Sequence, residues 1–417
     1  MQENGKWMQK PGSIPGNEPS LVSLCDALRK FHAELPLADY PPNALLSLSD
    51  DLLLYLIAAI RNTPCPPPDL SLDDWHHYIT LLKPHLIIPL VAFNVQTWPE
   101  ECRPPREIME YLNRVFDEAA GRNLFAGRQI QAVTDALRDA GIPVILLKGH
   151  ALARTLYPDP ALRQSGDIDL LVQPRNIPAS EEVLEKLGYV CAAKTFSLSP
   201  HEHHHEIFFP PRKGMHIELH WALDNAFDLF PDGWVDDAFS RQIPLRSGDL
   251  SCDTLSHTDH LLFLAFHNVF QHWTLRLGWV CDLSRMTGKF TTPEDWDELG
   301  RLSAEYHIRV PMELSLTAAR LWTGCGLPAG AGDFSTWPVP CERELRLLKY
   351  SRTGHTSLYS WVYLTMQGQP GIREKLRYGF RFIFPPVPFL WEYRKSSSPA
   401  DIPLAHLRRW ISIVKYL

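Results

Sequence analysis

The chain has 417 residues, of which 45% are apolar and 21% charged, and its formal net charge is −7 with neutral histidines. These values are typical of a soluble globular protein with two or three domains and a sizeable core. The negative charge excludes a protein that coats a polyanion over its whole surface, so nucleic acid is not favoured as a partner, although a local basic patch is compatible with it.

The N-terminal part is predicted to be helical after a lead-in of 18 residues. The lead-in has no continuous apolar run, which distinguishes it from a secretory signal. Helix starts are indicated by Pro19-Ser20, by Ser49 before two aspartates, and by Ser71. Apolar residues then follow helical spacing from Pro105 to Ala140, and Gly141 is a typical helix C-terminal signal.

Short strands replace the long helices after Gly141. The fully apolar run Ile142–Leu147 is typical of a buried strand, and it ends at Lys148-Gly149. In the helix predicted over 176–189, Ser180 is the expected cap. In chain order, the predicted elements are a strand at 142–147, a helix from 150, a loop at 157–166, a strand at 167–172, the helix at 176–189, a strand at 190–196 and a hairpin of 204–210 with 215–221.

Helical patterns return after residue 255. An amphipathic helix is predicted over Thr258–Trp273, and further helices near 295–308, 310–324, 341–365 and 370–383. The fold class predicted is therefore α+β, with a small mixed sheet between two helical regions. The predicted domains are an N-terminal helical region at 1–125, a catalytic core at 126–250 and a C-terminal helical region at 251–417.

The eight cysteines form no CxxC pair, which indicates free thiols in a reducing compartment. The most apolar stretches, 52–60 and 85–95, are shorter than the roughly 20 residues that a membrane-spanning helix needs. We therefore predict a cytoplasmic protein without a membrane span.

The chemistry is predicted to lie in three carboxylates on two strands. Side chains alternate along a strand, so Asp167 and Asp169 point to one face with Cα atoms about 6.6 Å apart. Glu218, in Ile217-Glu218-Leu219, would join them from a neighbouring strand. Such a cluster is typical of a site for one or two hard divalent cations, Mg²⁺ or Mn²⁺, because carboxylates crowded together without a cation repel one another.

The corner at Lys148-Gly149 is the second half of the predicted site. A glycine between a strand and a helix lets backbone N–H groups approach phosphate oxygens, and the helix N-terminus and Lys148 add positive charge. A metal ion on one side of a phosphate, with backbone amides and a lysine on the other side, is the arrangement that usually stabilises phosphoryl and nucleotidyl transfer. An Asp-x-Asp pattern also occurs on surface turns, but here the apolar Leu170-Leu171-Val172 follows and predicts a buried strand.

With these motifs the sequence resembles the family of uncharacterised nucleotidyltransferases, within the DNA polymerase beta-like superfamily. The residues that carry the resemblance are Leu146-Leu-Lys-Gly149, Ala151-Leu152, Tyr157-Pro-Asp-Pro160, Arg163, Gly166-Asp-Ile-Asp-Leu-Leu-Val172, Gly188-Tyr189, His205, Glu218-Leu-His-Trp221 and Arg276-Leu-Gly-Trp-Val-Cys-Asp-Leu283. The match extends over roughly 85–300, with weaker likeness in the tail.

The resemblance implies transfer of a nucleoside monophosphate from an NTP, ATP by preference, to an acceptor hydroxyl, with release of pyrophosphate. Asp167 and Asp169 would bind both metal ions, and Glu218 would bind the ion nearer the acceptor and help to deprotonate it. Lys148, Gly149 and His150 would face the triphosphate.

The turn departs from the superfamily pattern, which commonly has Gly-Ser with the serine hydroxyl on a terminal phosphate. His150 stands in that place, where it can donate one hydrogen bond or carry a charge below about pH 6.5. Lys148 is the residue that would take over the missing role.

Other polar residues have both ordinary and functional interpretations. The histidines of HEHHHE at 201–206 do not follow the HExxH metal pattern, so they fit a polar loop, a zinc site or, for His205, a phosphate contact. His216 and His220 share a strand face with Glu218 and are either half-buried sheet residues or part of the site. Arg163 is either a surface arginine or a contact to phosphate or to the carboxylates.

Two more groups of residues have both an ordinary and a functional interpretation. His260, His267 and Asp282 fit core packing better than catalysis. The aromatic and basic tail, with Trp391, Tyr393, Arg394, Arg408 and Arg409, fits a packed helix better than a membrane or partner contact.

Three functions are compatible with the sequence. The leading one is a metal-dependent nucleotidyltransferase acting on a small molecule, a sugar or a peptide. The alternatives are a catalytically degenerate module that binds nucleotides and a phosphotransferase that uses the same site.

Overall fold

The structure is a computed structural model that describes residues 21–35, 42–192, 194, 203–223, 230, 233–272, 274–327, 334–351, 366 and 371–384. The described part contains the α-helices α1 (Leu21–Glu34), α2 (Pro42–Leu46), α3 (Asp50–Arg61), α4 (Leu72–Leu82), α5 (Ile88–Gln96), α6 (Arg106–Asp139), α7 (Lys148–Leu156), α8 (Ile177–Lys186), α9 (Trp234–Arg241), α10 (His257–Phe266), α11 (Leu277–Thr287), α12 (Pro293–Glu305), α13 (Arg309–Thr323), α14 (Glu342–Ser351) and α15 (Ile372–Ile383).

The strands are β1 (Ile145–Leu146), β2 (Asp167–Leu171), β3 (Val190–Cys191), β4 (His205–Phe209), β5 (His216–His220), β6 (Ile243–Ser247) and β7 (Leu250–Thr254). They form one mixed sheet in the order β3-β4-β5-β2-β1-β7-β6. Strand β2 pairs in parallel with β5, whereas β4 and β5 form the antiparallel hairpin that the sequence predicts. The α+β class, a mixed sheet with helical regions before and after it, is confirmed.

Most predicted helices begin where their caps indicate. The hydroxyls of Ser49 and Ser71 accept from the backbone N–H groups of Leu52 and Asp74 and start α3 and α4. The long helix α6 ends at Asp139, and Gly141 then adopts a left-handed φ of 73°. Local capping signals therefore mark where these helices begin and end.

Several predicted details are wrong. Ser180 is not a cap but lies inside α8, where its hydroxyl donates to the carbonyl of Asn176. Strand β1 covers only two residues of the apolar run at 142–147. The helix predicted over Thr258–Trp273 is buried on every side after its first turn rather than amphipathic, and it continues as a π-helical turn at His267–Gln271. The aromatic tail lies outside the described residues.

The helical regions before and after the sheet share one hydrophobic core. This main core includes Leu53 and Trp75 from the first helices together with Phe263 and Trp322 from the last ones. The predicted domain boundaries at 125/126 and 250/251 fall inside α6 and β7. The division into three domains stays a prediction, with both ends packed into a common core.

A second cluster, the sheet core, lies between the sheet and α6. It contains Ile168 and Leu170 of β2 together with Leu219 of β5. Because side chains alternate along a strand, Asp167, Asp169 and Leu171 point to the opposite face, where Leu171 joins the main core. The acidic end of β2 is therefore placed at the border of the main core.

The corner between β1 and α7 brings the chain close to the loop before β2. Lys148, not Gly149, has the left-handed backbone there, with a φ of 38°. A Cβ atom at position 149 would lie 2.2 Å from Oγ and 2.9 Å from Cβ of Ser165, both shorter than van der Waals contact. Gly149 is thus required because the Ser165 loop packs directly on the first turn of α7.

All eight cysteines are free thiols, as the sequence predicts. Among the described residues, no helix combines the length and the apolar character that crossing a bilayer would require.

The Gly149→Ala substitution is expected to lower the free energy of unfolding by about 1–3 kcal/mol, since the new methyl group must displace the Ser165 loop. Denaturant unfolding followed by circular dichroism measures this. Gly166→Ala is the matched control, because a Cβ at position 166 meets no atom within 4 Å. Equal stability of the two variants would contradict the packing role of Gly149.

Candidate active site

The three predicted carboxylates are brought together by the parallel register of β2 and β5. Asp167 pairs with His216 and Asp169 pairs with Glu218, so the acidic side chains of both strands share one face. One carboxylate oxygen of Glu218 lies within 4.8 Å of a carboxylate oxygen of Asp167 and, in a second grouping, of Asp169. The structure therefore gathers Asp167, Asp169 and Glu218 at one place.

Two histidines of β5 complete these groupings. His216 joins Asp167 and Glu218, and His220 joins Asp169 and Glu218, with the ligand atoms of each set within 4.8 Å of one another. The first set is half-buried, whereas Asp169 and His220 in the second set are buried. Each set has the size and the donor atoms that a divalent cation needs, since oxygen and imidazole nitrogen are both metal ligands.

Lys148 contacts the deepest carboxylate. Its Nζ lies 2.9 Å from Oδ1 of Asp169, and both side chains are almost completely buried. The same ammonium lies 5.5 Å from the ring centroid of Phe263 on α10, which covers it from the main core. A lysine predicted to face a triphosphate is therefore also the counterion of a predicted metal ligand.

The pKa of each group follows from this pairing. Burial opposes the charged form of Asp169, but the Lys148 ammonium and a hydrogen bond with His220 hold its pKa well below the usual range. Burial likewise opposes a charge on Lys148 and His220, yet the neighbouring carboxylates raise the pKa of both. Asp169 is thus held ionised by the charge of Lys148 together with the hydrogen bond from His220.

Asp167 is in a different environment. Burial, followed by the nearby Asp169 carboxylate, raises its pKa above the usual value. Ser165 donates a hydrogen bond of 3.0 Å from its hydroxyl to Oδ1 of Asp167 and fixes the carboxylate at the start of β2. Asp167 is therefore the carboxylate that lacks a full counterion and gains most from a bound cation.

Arg163 does not face the carboxylates as predicted. It is buried, and its Nε and Nη2 donate to Oδ2 of Asp282 at 3.1 and 2.9 Å, while Nη1 donates to the carbonyl of Gln164. The hydroxyl of Tyr157 donates to the other oxygen of Asp282 at 2.8 Å. This buried network fastens the loop at 157–166, which leads into Asp167, to α11.

The structure also does not support His150 as a triphosphate contact. The side chain is buried, with Nε2 3.2 Å from Sδ of Met215 and Nδ1 3.3 Å from Nη1 of Arg154. Burial, with the positive charge of Arg154, lowers its pKa to about 3, so it is neutral well below the pH at which a free histidine titrates. What α7 offers to an anion is its N-terminus, where the first backbone N–H groups have no partner within the helix.

Further histidines border the buried half of the site. His205 pairs with His220 across the β4–β5 hairpin, and His204 precedes it in a buried position. Burial, followed by the neighbouring His220, lowers the pKa of His205 to about 4. Gln271, from the π-helical turn, contacts Nε2 of His204 at 3.1 Å. His201 lies outside the described residues.

Some of these residues could not be identified from the sequence. Ser165 precedes Asp167 by two positions in a loop, and no pattern distinguishes it from an ordinary loop serine. The sequence favours core packing for Asp282, and its partner Arg163 is 119 positions away in the chain. By contrast, the alternation His216, Glu218, His220 on one strand was a sufficient signal for the histidines of β5.

The carboxylates of this site can bind a divalent cation, and the N-terminus of α7 can bind an anionic ligand. Glu218, with about 18% of its side chain exposed, is the most exposed member of the grouping that it forms with Asp169 and His220.

The sequence matches the model of a family described as an uncharacterised nucleotidyltransferase over residues 71–324, a span that includes every strand of the sheet. No curated protein matches the chain. The family match covers more than half of the 417 residues and confirms the resemblance seen in the motifs. The chain therefore belongs to the family of uncharacterised nucleotidyltransferases.

Proposed function

We propose that the protein is a metal-dependent nucleotidyltransferase that moves a nucleoside monophosphate from an NTP, ATP by preference, to an acceptor hydroxyl and releases pyrophosphate. The observation that carries this proposal is the parallel register of β2 and β5, which gathers three carboxylates beside the start of α7. Family membership supports transfer of a nucleotidyl group in general.

The residues present fit a divalent cation. Asp167, Asp169 and Glu218 would hold it, with His216 and His220 as further donors. When bound, the cation supplies positive charge to the phosphate oxygens and makes the acceptor hydroxyl more acidic. Because each carboxylate grouping contains an imidazole, we expect Mn²⁺ to bind more tightly than Mg²⁺, which prefers oxygen ligands alone.

The remaining roles belong to the protein itself. Glu218 would accept the proton of the acceptor hydroxyl, since it is the most exposed member of the buried grouping. The N-terminus of α7 and Lys148 would place the triphosphate, and His205 lies where it can add a contact at the same edge. Such fixed positive groups stabilise the charge that develops on phosphate without having to reorganise during the reaction.

The acceptor is proposed to be a small molecule, a sugar or a peptide rather than nucleic acid, in keeping with the net charge of −7. The free thiols support the cytoplasm as the place of action.

Asp167→Asn is expected to leave the fold intact and to lower metal-dependent transfer by at least about 100-fold, because the amide still accepts from Ser165 but no longer binds a cation. ATP labelled at either the α- or the γ-phosphate is incubated with Mn²⁺ and candidate acceptors, and the products are identified by mass. Asp253→Asn, a half-buried aspartate on β7, is the matched control.

The same experiment separates the competing functions. Nucleotide on the acceptor supports the proposal, whereas terminal phosphate on the acceptor would replace it with a phosphotransferase. Nucleotide binding without any transfer would identify a degenerate binding module. Undiminished transfer by Asp167→Asn would show that the site is elsewhere.

Lys148→Met is expected to destabilise the metal-free protein by about 3–5 kcal/mol, because it leaves Asp169 without its buried counterion. A divalent cation at the carboxylates would replace the lost charge, so Mn²⁺ should raise the melting temperature of this variant more than that of the unmodified protein.

Differential scanning fluorimetry with and without Mn²⁺ measures both effects. Arg241→Met is the control, because it removes the partner of buried Asp259 at a distance from the site and should not respond to Mn²⁺. Equal Mn²⁺ responses in all three proteins would argue against a cation at Asp169.

A further inference from the structure

Three imidazoles meet at the edge of the carboxylate site. His204 and His205 begin β4, and His220 ends β5 directly opposite His205 in the hairpin. Each can present one ring nitrogen so that the three nitrogens lie within 4.8 Å of one another. The ring centroids are separated by 4.3 Å for His204 and His205, 5.0 Å for His205 and His220, and 5.4 Å for His204 and His220.

Two nitrogens of this cluster have no hydrogen-bond partner in the part of the chain that the structure describes. Nδ1 of His204 and Nδ1 of His220 are buried, and neither has a hydrogen-bond partner among the described residues. For His204, the other nitrogen, Nε2, lies 2.9 Å from Nδ1 of His205 and 3.1 Å from the Gln271 amide. Whichever tautomer His204 adopts, its Nδ1 therefore stays unpartnered, and a buried polar atom without a partner is destabilising.

The orientation of His220 is that of a metal ligand. Its Nε2 lies 3.0 Å from Oδ1 of Asp169 and 3.4 Å from Oε2 of Glu218. When Nε2 carries a proton that is donated to a carboxylate, the lone pair is left on Nδ1, which is the unpartnered atom. A carboxylate that orients a histidine in this way is the usual second partner of a metal-binding imidazole.

We propose that His204, His205 and His220 form a binding site for a transition-metal ion of the Zn²⁺ class, next to the carboxylate site. Three imidazole nitrogens favour Zn²⁺ or Co²⁺ over Mg²⁺, which binds oxygen. Three protein ligands leave a fourth position open, and the carboxylates of Asp169 and Glu218 lie on the His220 side of the cluster. The site does not depend on the proposed transferase activity, because its ligands need no nucleotide.

The test uses Co²⁺ as a spectroscopic probe on the metal-stripped full-length chain. Co²⁺ held by three imidazoles and one further ligand gives intense visible absorption, whereas six-coordinate Co²⁺ on carboxylates and water gives weak bands. We expect intense bands that saturate at one ion per chain, that Zn²⁺ abolishes and that excess Mg²⁺ leaves unchanged.

Single substitutions test which side chains bind the Co²⁺ ion. His204→Gln is expected to weaken Co²⁺ binding by at least about 10-fold and to remove the intense bands. His257→Gln, the same change on α10 outside the cluster, should retain them. Asp167→Asn, which alters the carboxylate site alone, should also retain them, so failure of the transferase proposal and failure of this one give different results.

Circular dichroism establishes that each variant is folded, and His205→Gln replaces His204→Gln if the latter does not fold. X-ray absorption on the unmodified protein with Zn²⁺ provides a second measurement that needs no variant, and three imidazole ligands are expected. Three results would each overturn the proposal. They are Co²⁺ bands that are weak only, intense bands that are lost in Asp167→Asn but kept in His204→Gln, and a Zn²⁺ ion surrounded by oxygen.

Discussion

The site depends on one buried ion pair, between Lys148 at the start of α7 and Asp169 in the middle of β2. Three carboxylates on two adjacent strands would repel one another at the border of a hydrophobic core, where the dielectric constant is low. Lys148 supplies a compensating positive charge from within the protein, and His220 adds a hydrogen bond to Asp169. The chain can therefore fold around its acidic residues before any cation arrives, and the buried half of the site is held in place by internal electrostatics.

The lysine of this ion pair also has an unusual backbone conformation. A left-handed φ of 38° is unfavourable for a residue with a side chain, and Lys148 adopts it while its ammonium reaches Asp169. Gly149 follows because the loop at 157–166 presses Ser165 onto the helix, and that loop is fixed by Arg163, Tyr157 and Asp282. Lys148 thus has both the left-handed backbone and the positive charge beside Asp169. The loop at 157–166 is held separately, by its contacts with α11.

The sequence was sufficient wherever the signal is local. Helix caps depend on neighbouring residues, and the caps Ser49 and Ser71 were predicted correctly. The side-chain alternation along a strand is also local, and it correctly placed Asp167 with Asp169 on one face and His216 with Glu218 on one face. The contacts of Arg163 and His150 were not, because their partners lie far along the chain: Asp282 for one, and Met215 for the other. A charged residue beside a motif can equally face the ligand or support the loop, and only the packing decides between them. The same holds for α10, whose burial after its first turn depends on helices before and after the sheet.

The character of the potential ligands changes in order across the hairpin. The half-buried grouping consists of Asp167, His216 and Glu218. The next one consists of Asp169, Glu218 and His220. The grouping at β4 consists of imidazoles alone, from His204, His205 and His220. Harder cations prefer the first environment and softer ones the last, since oxygen donors give way to nitrogen donors. Glu218 and His220 each belong to two groupings, so an ion in one place changes the charge felt in the next. An ion bound through Nδ1 of His220 would leave the Nε2–H of that ring directed at Asp169 and Glu218, so His220 would then support these carboxylates by hydrogen bonding and not as a ligand of a cation between them.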